Sequence, residues 1–211
     1  MSTISIIGSG GMAAAIGGLA ARAGHKVEVT SRDAAKAQAL AEQVEAGATT
    51  GTFGAAPAGD IVILAVPYSA VLDVVNQYGD ELAGKLLVDI TNPVAPDFKS
   101  FVTPVDSFGA QEIVKAAPAD AKVVKAFNTH FSHVLAAGQI DGHPLDVFIA
   151  GDDAQAKERV SSFIDGLGLR SMDIGNLPMA KTLEYMCLLS LGLMTHSVNH
   201  TRFAIGVSLP A

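Results

Sequence analysis

Apolar residues fall along this chain in short runs separated by stretches of mixed spacing. Ile4-Ser5-Ile6-Ile7, Val27-Glu28-Val29-Thr30, Ile61 to Val66, Lys85 to Ile90, Lys122 to Phe127 and Leu145 to Ala150 are each the length of one strand. The most nearly continuous of them have the character of strands covered on both faces of a parallel sheet. Between the runs the spacing turns helical. One helix runs to Arg22 and is stopped by Gly24; a second, Ala34 to Ala46, has a thin apolar face of Ala37, Leu40, Ala41 and Val44 and ends at Gly47. A third opens at Tyr68 or Ser69 behind Pro67 and turns Val71, Leu72, Val74 and Val75 to the sheet, and a fourth spans Ser107 to Ala117. Asp152 and Gln155 form a capping pair for a fifth, which buries Ala156, Val160, Phe163, Ile164 and Leu167. A short strand at Thr50 to Phe53, another at Arg170 to Asp173 and an all-helical tail from Pro178 complete the reading. Strand and helix alternate, so the fold class is α/β. The expected architecture is a Rossmann-like, doubly wound, mostly parallel sheet over residues 1–175, with a C-terminal helical extension, 176–211, packed on the same domain or on a dimer partner.

In such a sheet ligands sit beyond the carboxyl ends of the strands. That rim collects Gly8 to Ala13, Ser31-Arg32, Val66-Pro67, Thr91-Asn92-Pro93 and Asn128-Thr129-His130. The spacing Gly8-x-Gly10-x-x-Ala13 has a reason at each position. Gly8 permits a sharp turn, Gly10 lets a pyrophosphate approach the backbone, and Ala13 lets the helix lie close to the strand. The helix N-terminus then offers free N–H groups to the phosphates. An acidic residue ending the second strand would favour NAD; here the edge reads Thr30-Ser31-Arg32, two hydroxyls and a guanidinium suited to the 2′-phosphate of NADP. The competing reading makes Arg32 a solvated loop residue and gives the ribose to Asp33, which is also well placed to cap the helix at Ala34.

Composition narrows the classes. The 211 residues are 49% apolar with a formal charge of −7 and no Lys/Arg run, which argues against nucleic acid. Cys187 is the sole cysteine, so no disulfide forms within the chain, and a reduced, cytoplasmic location is expected. The N-terminus leads directly into a core strand, with no signal peptide expected. Tyr185 to Thr201 carries no Asp, Glu, Lys or Arg, but its strongly apolar part, Met186 to Met194, is too short to cross a membrane. Leu183, Met186, Leu189, Leu193 and Met194 recur at helical spacing and exceed what one small sheet needs, so a homodimer paired through this helix is expected.

With the rim assembled, the chain resembles the NADPH-dependent coenzyme F-420 reductase family. Its core also resembles the cytosolic domain of the six-transmembrane metalloreductases. The resemblance is carried by Ile7-Gly8-Ser9-Gly10, Thr30-Ser31-Arg32, Leu86 to Pro93, Val123 to Asn128, Gly151-Asp152-Asp153 and Asp173 to Leu177, with Leu183-Glu184 beyond. It implies NADP(H) held by Ser9, Met12, Ser31 and Arg32, with the nicotinamide near Val66, Pro67 and Asn92. Taken with the rim, the cofactor set is Gly8, Ser9, Gly10, Gly11, Met12, Ala13, Ser31, Arg32, Val66, Pro67, Asn92 and Pro93. The chain departs from the family at Gly11, where members often carry a polar residue, and at Ala13, where glycine is more usual. With no membrane span expected, a membrane ferric reductase is not.

The resemblance implies hydride transfer between NADP(H) and F-420 or another flavin-like small-molecule acceptor. Such a reaction needs two rings held about 3–3.5 Å apart and little acid–base chemistry from the protein. The rim agrees, with no Ser/His/Asp set, no paired carboxylates and no Tyr-x-x-x-Lys, so no catalytic side chain is expected. His130-x-x-His133 and His196-x-x-x-His200 lack an acidic or cysteine partner at useful spacing, and no metal is assigned. Asn128, His130 and His133 are expected to line the second-substrate pocket, the two histidines alternatively pairing with backbone; His196 and His200 belong to an interface or pocket edge. Two other functions stand beside this one. Lys181 would serve as the acid of a β-hydroxyacid-dehydrogenase-like enzyme, and the shortage of catalytic groups would suit a non-enzymatic NADPH sensor.

Overall fold

The computed structural model describes residues 2–44 and 46–208. Six parallel strands form the main sheet: β1 (Thr3–Ile7), β2 (Lys26–Thr30), β3 (Thr49–Thr50), β4 (Ile61–Leu64), β5 (Leu86–Asp89) and β6 (Lys122–Lys125). Their spatial order is β3-β2-β1-β4-β5-β6, so the winding reverses between β1 and β4. The connecting helices are α1 (Gly11–Arg22), α2 (Ala34–Val44), α3 (Tyr68–Tyr78) and α4 (Gly109–Ala116). Beyond β6 come α5 (Ser132–Ala137), a hairpin of β7 (Gln139–Ile140) and β8 (His143–Pro144), then β9 (Asp146–Ile149), α6 (Ala154–Gly166), β10 (Arg170–Asp173) and α7 (Ala180–Leu193). Strands β9 and β10 pair in parallel and join the main sheet through one antiparallel rung, Lys125 to Ala150. The fold is the expected Rossmann-like, mostly parallel sheet.

The strands read as continuous apolar runs because two cores claim alternate side chains. Ile4, Ile6, Ile61, Ile63, Leu86, Val88 and Val124 pack with α1, α2 and α6 on one face. Ile7, Val62, Leu64, Leu87 and Val123 pack with α3, α4 and the start of α7 on the other. A residue-by-residue alternation between two buried faces leaves no polar period to see.

Several expectations need correction. The strand expected at Thr50 to Phe53 is only Thr49–Thr50, its edge position giving it a single neighbour, β2. Helix α2 is described to Val44, and its expected last turn includes position 45, outside the described residues. Asp153, not the Asp152–Gln155 pair, caps α6 by accepting the Ala156 N–H at 2.8 Å. Asp152 instead accepts the N–H of Leu177 at 2.9 Å, tying the start of α6 to the approach to α7. Helix α5 and the β7–β8 hairpin were not foreseen. The tail is not all helical: a π turn over Met194–Val198 ends at left-handed Asn199, and the chain continues extended to residue 208. Arg170 and Asp146 hold that extended segment, Asp146 accepting the Val207 N–H and Arg170 donating to the Val207 carbonyl.

Candidate functional site

The reversal between β1 and β4 opens a trough at the carboxyl ends of the strands, as the fold class demands. Its middle is the turn from β1 into α1. Gly8 takes φ of +131°, and a Cβ there would stand 2.0 Å from the Ala65 carbonyl oxygen, so β1 and β4 can pass this closely only over glycine. At Gly10 a Cβ would meet nothing within 4 Å. The residue caps α1 without any side-chain hydrogen bond, and the first intrahelical bond is Ala14 N–H to the Gly10 carbonyl at 3.0 Å. The amides ahead of it face open space at the positive end of a helix. Ala13 is fully buried under the sheet, which is the close approach its small side chain was expected to allow.

One end of the trough is a cavity of about 320 Å³ lined by Ser9, Gly10, Ser31, Arg32, Asp33, Lys36, Phe53 and Pro67 among others. Ser9 donates its hydroxyl to Ser31 Oγ at 3.2 Å, which locks the glycine turn to the end of β2. Arg32 is exposed, and among the described residues no acceptor holds its guanidinium. Asp33 does cap α2, accepting the Lys36 N–H at 3.2 Å, and Lys36 brings a second cation to the cavity, 3.6 Å from the Asp33 carboxylate. Sequence reasoning missed Lys36, although its place one turn beyond the cap was readable. It also gave Thr30 to the phosphate. Thr30 is instead 2% exposed and shares a 3.0 Å hydrogen bond with the Tyr78 hydroxyl inside the core.

The other end is a cavity of about 450 Å³ lined by Gly10, Gly11, Met12, Val66, Pro67, Tyr68, Thr91, Asn92, Val94 and Val102 among others. Gly10, Ala65, Val66 and Pro67 line both cavities, making one continuous groove. A hairpin-like loop walls this end: the Pro93 carbonyl accepts the Val102 N–H at 2.8 Å, and Val94 pairs with Phe101. Burial, with Glu112, Glu184 and Asp89 nearby, pushes the Tyr68 phenol up to about 12. A Cβ on Gly11 would lie 2.9 Å from Ser132 Oγ, so the departure at this position goes with the close packing of α5.

The expected second-substrate residues separate. Asn128 is 5% exposed and acts behind the wall, exchanging amide hydrogen bonds with Asn92 and donating to the Leu183 carbonyl at 2.9 Å. His130 is 8% exposed and its Nε2 is 2.8 Å from the Asp146 carbonyl oxygen; burial lowers its pKa. It lines neither cavity, and the backbone pairing weighed for it is the one found. His133 is exposed on α5, within 3.3 Å of Thr201 Oγ1, and also lines neither cavity. Among the described residues no group of three or more His, Cys, Asp or Glu could hold a metal ion. Lys181 stands on the first turn of α7 and lines neither end of the groove. Behind the Thr91 side of the groove Lys125 is fully buried between Asp89 and Glu184 and donates to the Thr91 carbonyl at 2.6 Å.

Residues 3–93, which contain the glycine turn, Arg32 and the Thr91–Pro93 turn, match the model of a family described as NADP oxidoreductase coenzyme F420-dependent. The resemblance holds. An F420-dependent NADP reductase of Methanocaldococcus jannaschii is 33% identical over 144 residues, 66% of this chain and 64% of that protein. The metalloreductase STEAP3 of Rattus norvegicus is 30% identical over 184 residues, 86% of this chain but 35% of that protein. The chain thus spans less than two thirds of either relative's length. A crystallised chain from Arthrobacter sp. FB24 superposes with a TM-score of 0.87 over 99% of this chain and all of that one, at 23% identity, a likeness of fold. No described helix is long and apolar enough to cross a membrane.

Proposed function

We propose that this chain is an NADP-dependent oxidoreductase that moves hydride between NADP(H) and a flavin or deazaflavin acceptor. The observation that carries the reading is the groove itself: a helix N-terminus with no side-chain cap over an open Gly10, with a guanidinium that no acceptor among the described residues holds at one end and an apolar-walled cavity at the other. The names borne by the F420-dependent relatives support the acceptor class.

In this reading Gly10, Gly11 and Met12 present backbone amides to the pyrophosphate, while Gly8, whose own N–H is held by the Thr30 carbonyl at 2.8 Å, makes the turn and buried Ala13 lets α1 lie close to the sheet. Ser9, Ser31, Arg32 and Lys36 take the adenosine phosphate, Arg32 through forked, charge-assisted bonds. Val66 and Pro67 would pack against the nicotinamide ring and Thr91 and Asn92 would border it, whereas Pro93, expected beside them, lines neither cavity. The nicotinamide supplies the hydride when bound. The protein's work is to hold that ring against the wall of Val94 and Val102 and to keep water from between the two reacting rings. In this reading no proton has to be moved by a side chain.

We further propose that residues 1–175 form the dinucleotide unit and 176–211 an extension whose apolar helix pairs with a second copy, in the cytoplasm. Titration of the full chain should show NADPH preferred over NADH, with Arg32→Ala removing about 1.5–3 kcal/mol of that preference. Equal affinities would overturn the NADP assignment. Stopped-flow oxidation of bound NADPH should be rapid with F-420 or a free flavin. If only a β-hydroxyacid or its semialdehyde reacted, and Lys181→Ala abolished turnover, the dehydrogenase reading would replace this one; tight NADPH binding with no reaction would leave a sensor.

A further inference from the structure

A group of charges lies beneath the nicotinamide end of the groove, and hydride transfer itself makes no use of it. Lys125 on β6, Asp89 on β5 and Glu184 on α7 are 0%, 0% and 1% exposed. Their hydrogen bonds close on one another and on backbone. Lys125 Nζ donates to Asp89 Oδ2 at 2.8 Å, to Glu184 Oε1 at 3.1 Å and to the Thr91 carbonyl at 2.6 Å. Asp89 Oδ1 accepts both the Thr91 N–H, at 2.8 Å, and the Thr91 hydroxyl, at 2.7 Å. Glu184 accepts the N–H groups of Gly109 at 3.0 Å and Ala110 at 3.2 Å, the first two residues of α4. A second grip runs alongside through amides. Asn92 donates to the Asn128 carbonyl at 2.8 Å; Asn128 donates to Asn92 Oδ1 at 2.8 Å and to the Leu183 carbonyl at 2.9 Å.

Stability does not account for this cluster. Taking ions out of water costs several kcal/mol apiece, and well-packed apolar side chains in their place do as well or better. What ions and amides do, and apolar groups cannot, is hold a backbone carbonyl and a side-chain amide in one orientation. Both grips land on consecutive residues, Thr91 and Asn92, which line the cavity. Both are anchored at their far end on consecutive residues of α7, Leu183 and Glu184.

We propose that Glu184 is a positioning residue: through Lys125 it fixes the Thr91–Asn92 turn on which the nicotinamide is seated, so that this end of the groove is complete only when α7 is docked. The proposal rests on the NADP reading above. The adenosine end, with Ser31 and Arg32, shares no hydrogen bond with the cluster and is indifferent to it.

Adenosine 2′,5′-bisphosphate fills the adenosine end alone, whereas NADPH fills both, so the two ligands together separate positioning from general loosening. The full chain, Glu184→Ala and Glu184→Gln are titrated with each, the bisphosphate by calorimetry and NADPH by its own emission. The bisphosphate Kd should stay within about twofold in all three, while NADPH binding weakens about tenfold in Glu184→Ala. Glu184→Gln, whose single amide oxygen can still accept from Lys125 and the Ala110 N–H but sets an NH2 against the Gly109 N–H, should recover part of that loss. Glu184→Ala leaves a buried ammonium one partner short; if it does not fold, Glu184→Gln carries the comparison, with NADPH binding weakened by less than about tenfold and the bisphosphate Kd unchanged. Unchanged NADPH binding, or parallel loss of both ligands, overturns the positioning role while leaving the NADP reading intact. Failure of the unmutated chain to bind either ligand would overturn both.

Discussion

A methyl group on Gly8 would sit 2.0 Å from the Ala65 carbonyl oxygen, whereas one on Gly10 would meet nothing within 4 Å. The two glycines therefore fail differently. Gly8→Ala forces a backbone shift between β1 and β4 and strains a φ of +131°, and should cost about 2–4 kcal/mol in a urea titration. Gly10→Ala should leave the unfolding midpoint nearly unchanged yet weaken NADPH binding about tenfold or more, because its methyl group occupies space meant for phosphate. Equal effects of the two substitutions on stability would contradict this division. The same contrast explains what the sequence showed at this scale. Spacing named Gly8, Gly10 and Ala13 because they belong to one recurring strand–turn–helix pattern, although the group that excludes a side chain at Gly8 is the carbonyl of Ala65 on the neighbouring strand. It could not tell that Thr30 turns inward to Tyr78, 48 positions away, or that Gly11 faces Ser132.

Helix α7 is apolar on more sides than the molecule covers. Ala180, Leu183, Glu184 and Ser190 are buried, while Tyr185 and Leu189 remain 53% and 52% exposed. Phe101 packs edge-on to Tyr185 at 4.9 Å, and Phe98, Val102 and Val105 on the same loop are also exposed. Apolar surface concentrated in this way marks an association face. Light scattering at micromolar concentration should give a dimer, and Leu189→Arg should shift it to monomer without changing the far-ultraviolet dichroism. A monomer in the unmutated chain would remove the proposed pairing. At this scale the central strands were legible because most of their positions are apolar, β4 without a break, and α1, α3 and α6 because their buried faces recur at helical spacing. Helix α5 was not, since six residues hold too little periodicity. The extended tail was not, since what straightens it lies elsewhere: Phe203 packs on Phe131 at 5.6 Å, and Asp146 and Arg170 grip Val207.

The molecule as a whole carries its groove between two layers of helices, and the chemistry beneath that groove is assembled from distant strands. Asp89 and Lys125 end β5 and β6, but the sequence shows each only as a charge inside an apolar run, Lys85 to Ile90 and Lys122 to Phe127. Their meeting with Glu184 required the sheet order β5-β6 and the return of α7, neither of which spacing reveals. A different buried group governs the pH response. Burial lowers the pKa of His130 below 6.5, outweighing the Asp146 carbonyl that pulls it the other way, and His25 is lowered for the same reason. As pH falls through 6.5 the unfolded chain takes up protons that the folded chain does not, so stability declines and then levels once the folded imidazoles also charge. The urea midpoint should drop between about pH 7.5 and 5.5, and His130→Gln should flatten that drop. A midpoint constant across this window would show that both imidazoles protonate freely in the folded chain.

The close pass of α1 and α5 at Gly11 and Ser132 also leaves a trace that evolution would have to respect. With Ser132 Oγ 2.9 Å and its Cβ 3.3 Å from where a Cβ would be built, a side chain gained at position 11 must be met by a turn of the Ser132 hydroxyl or a shift of the short helix that bears it. Ancestors or descendants of this chain that enlarge position 11 should therefore keep a small residue at 132, and bulk at both positions together should not occur.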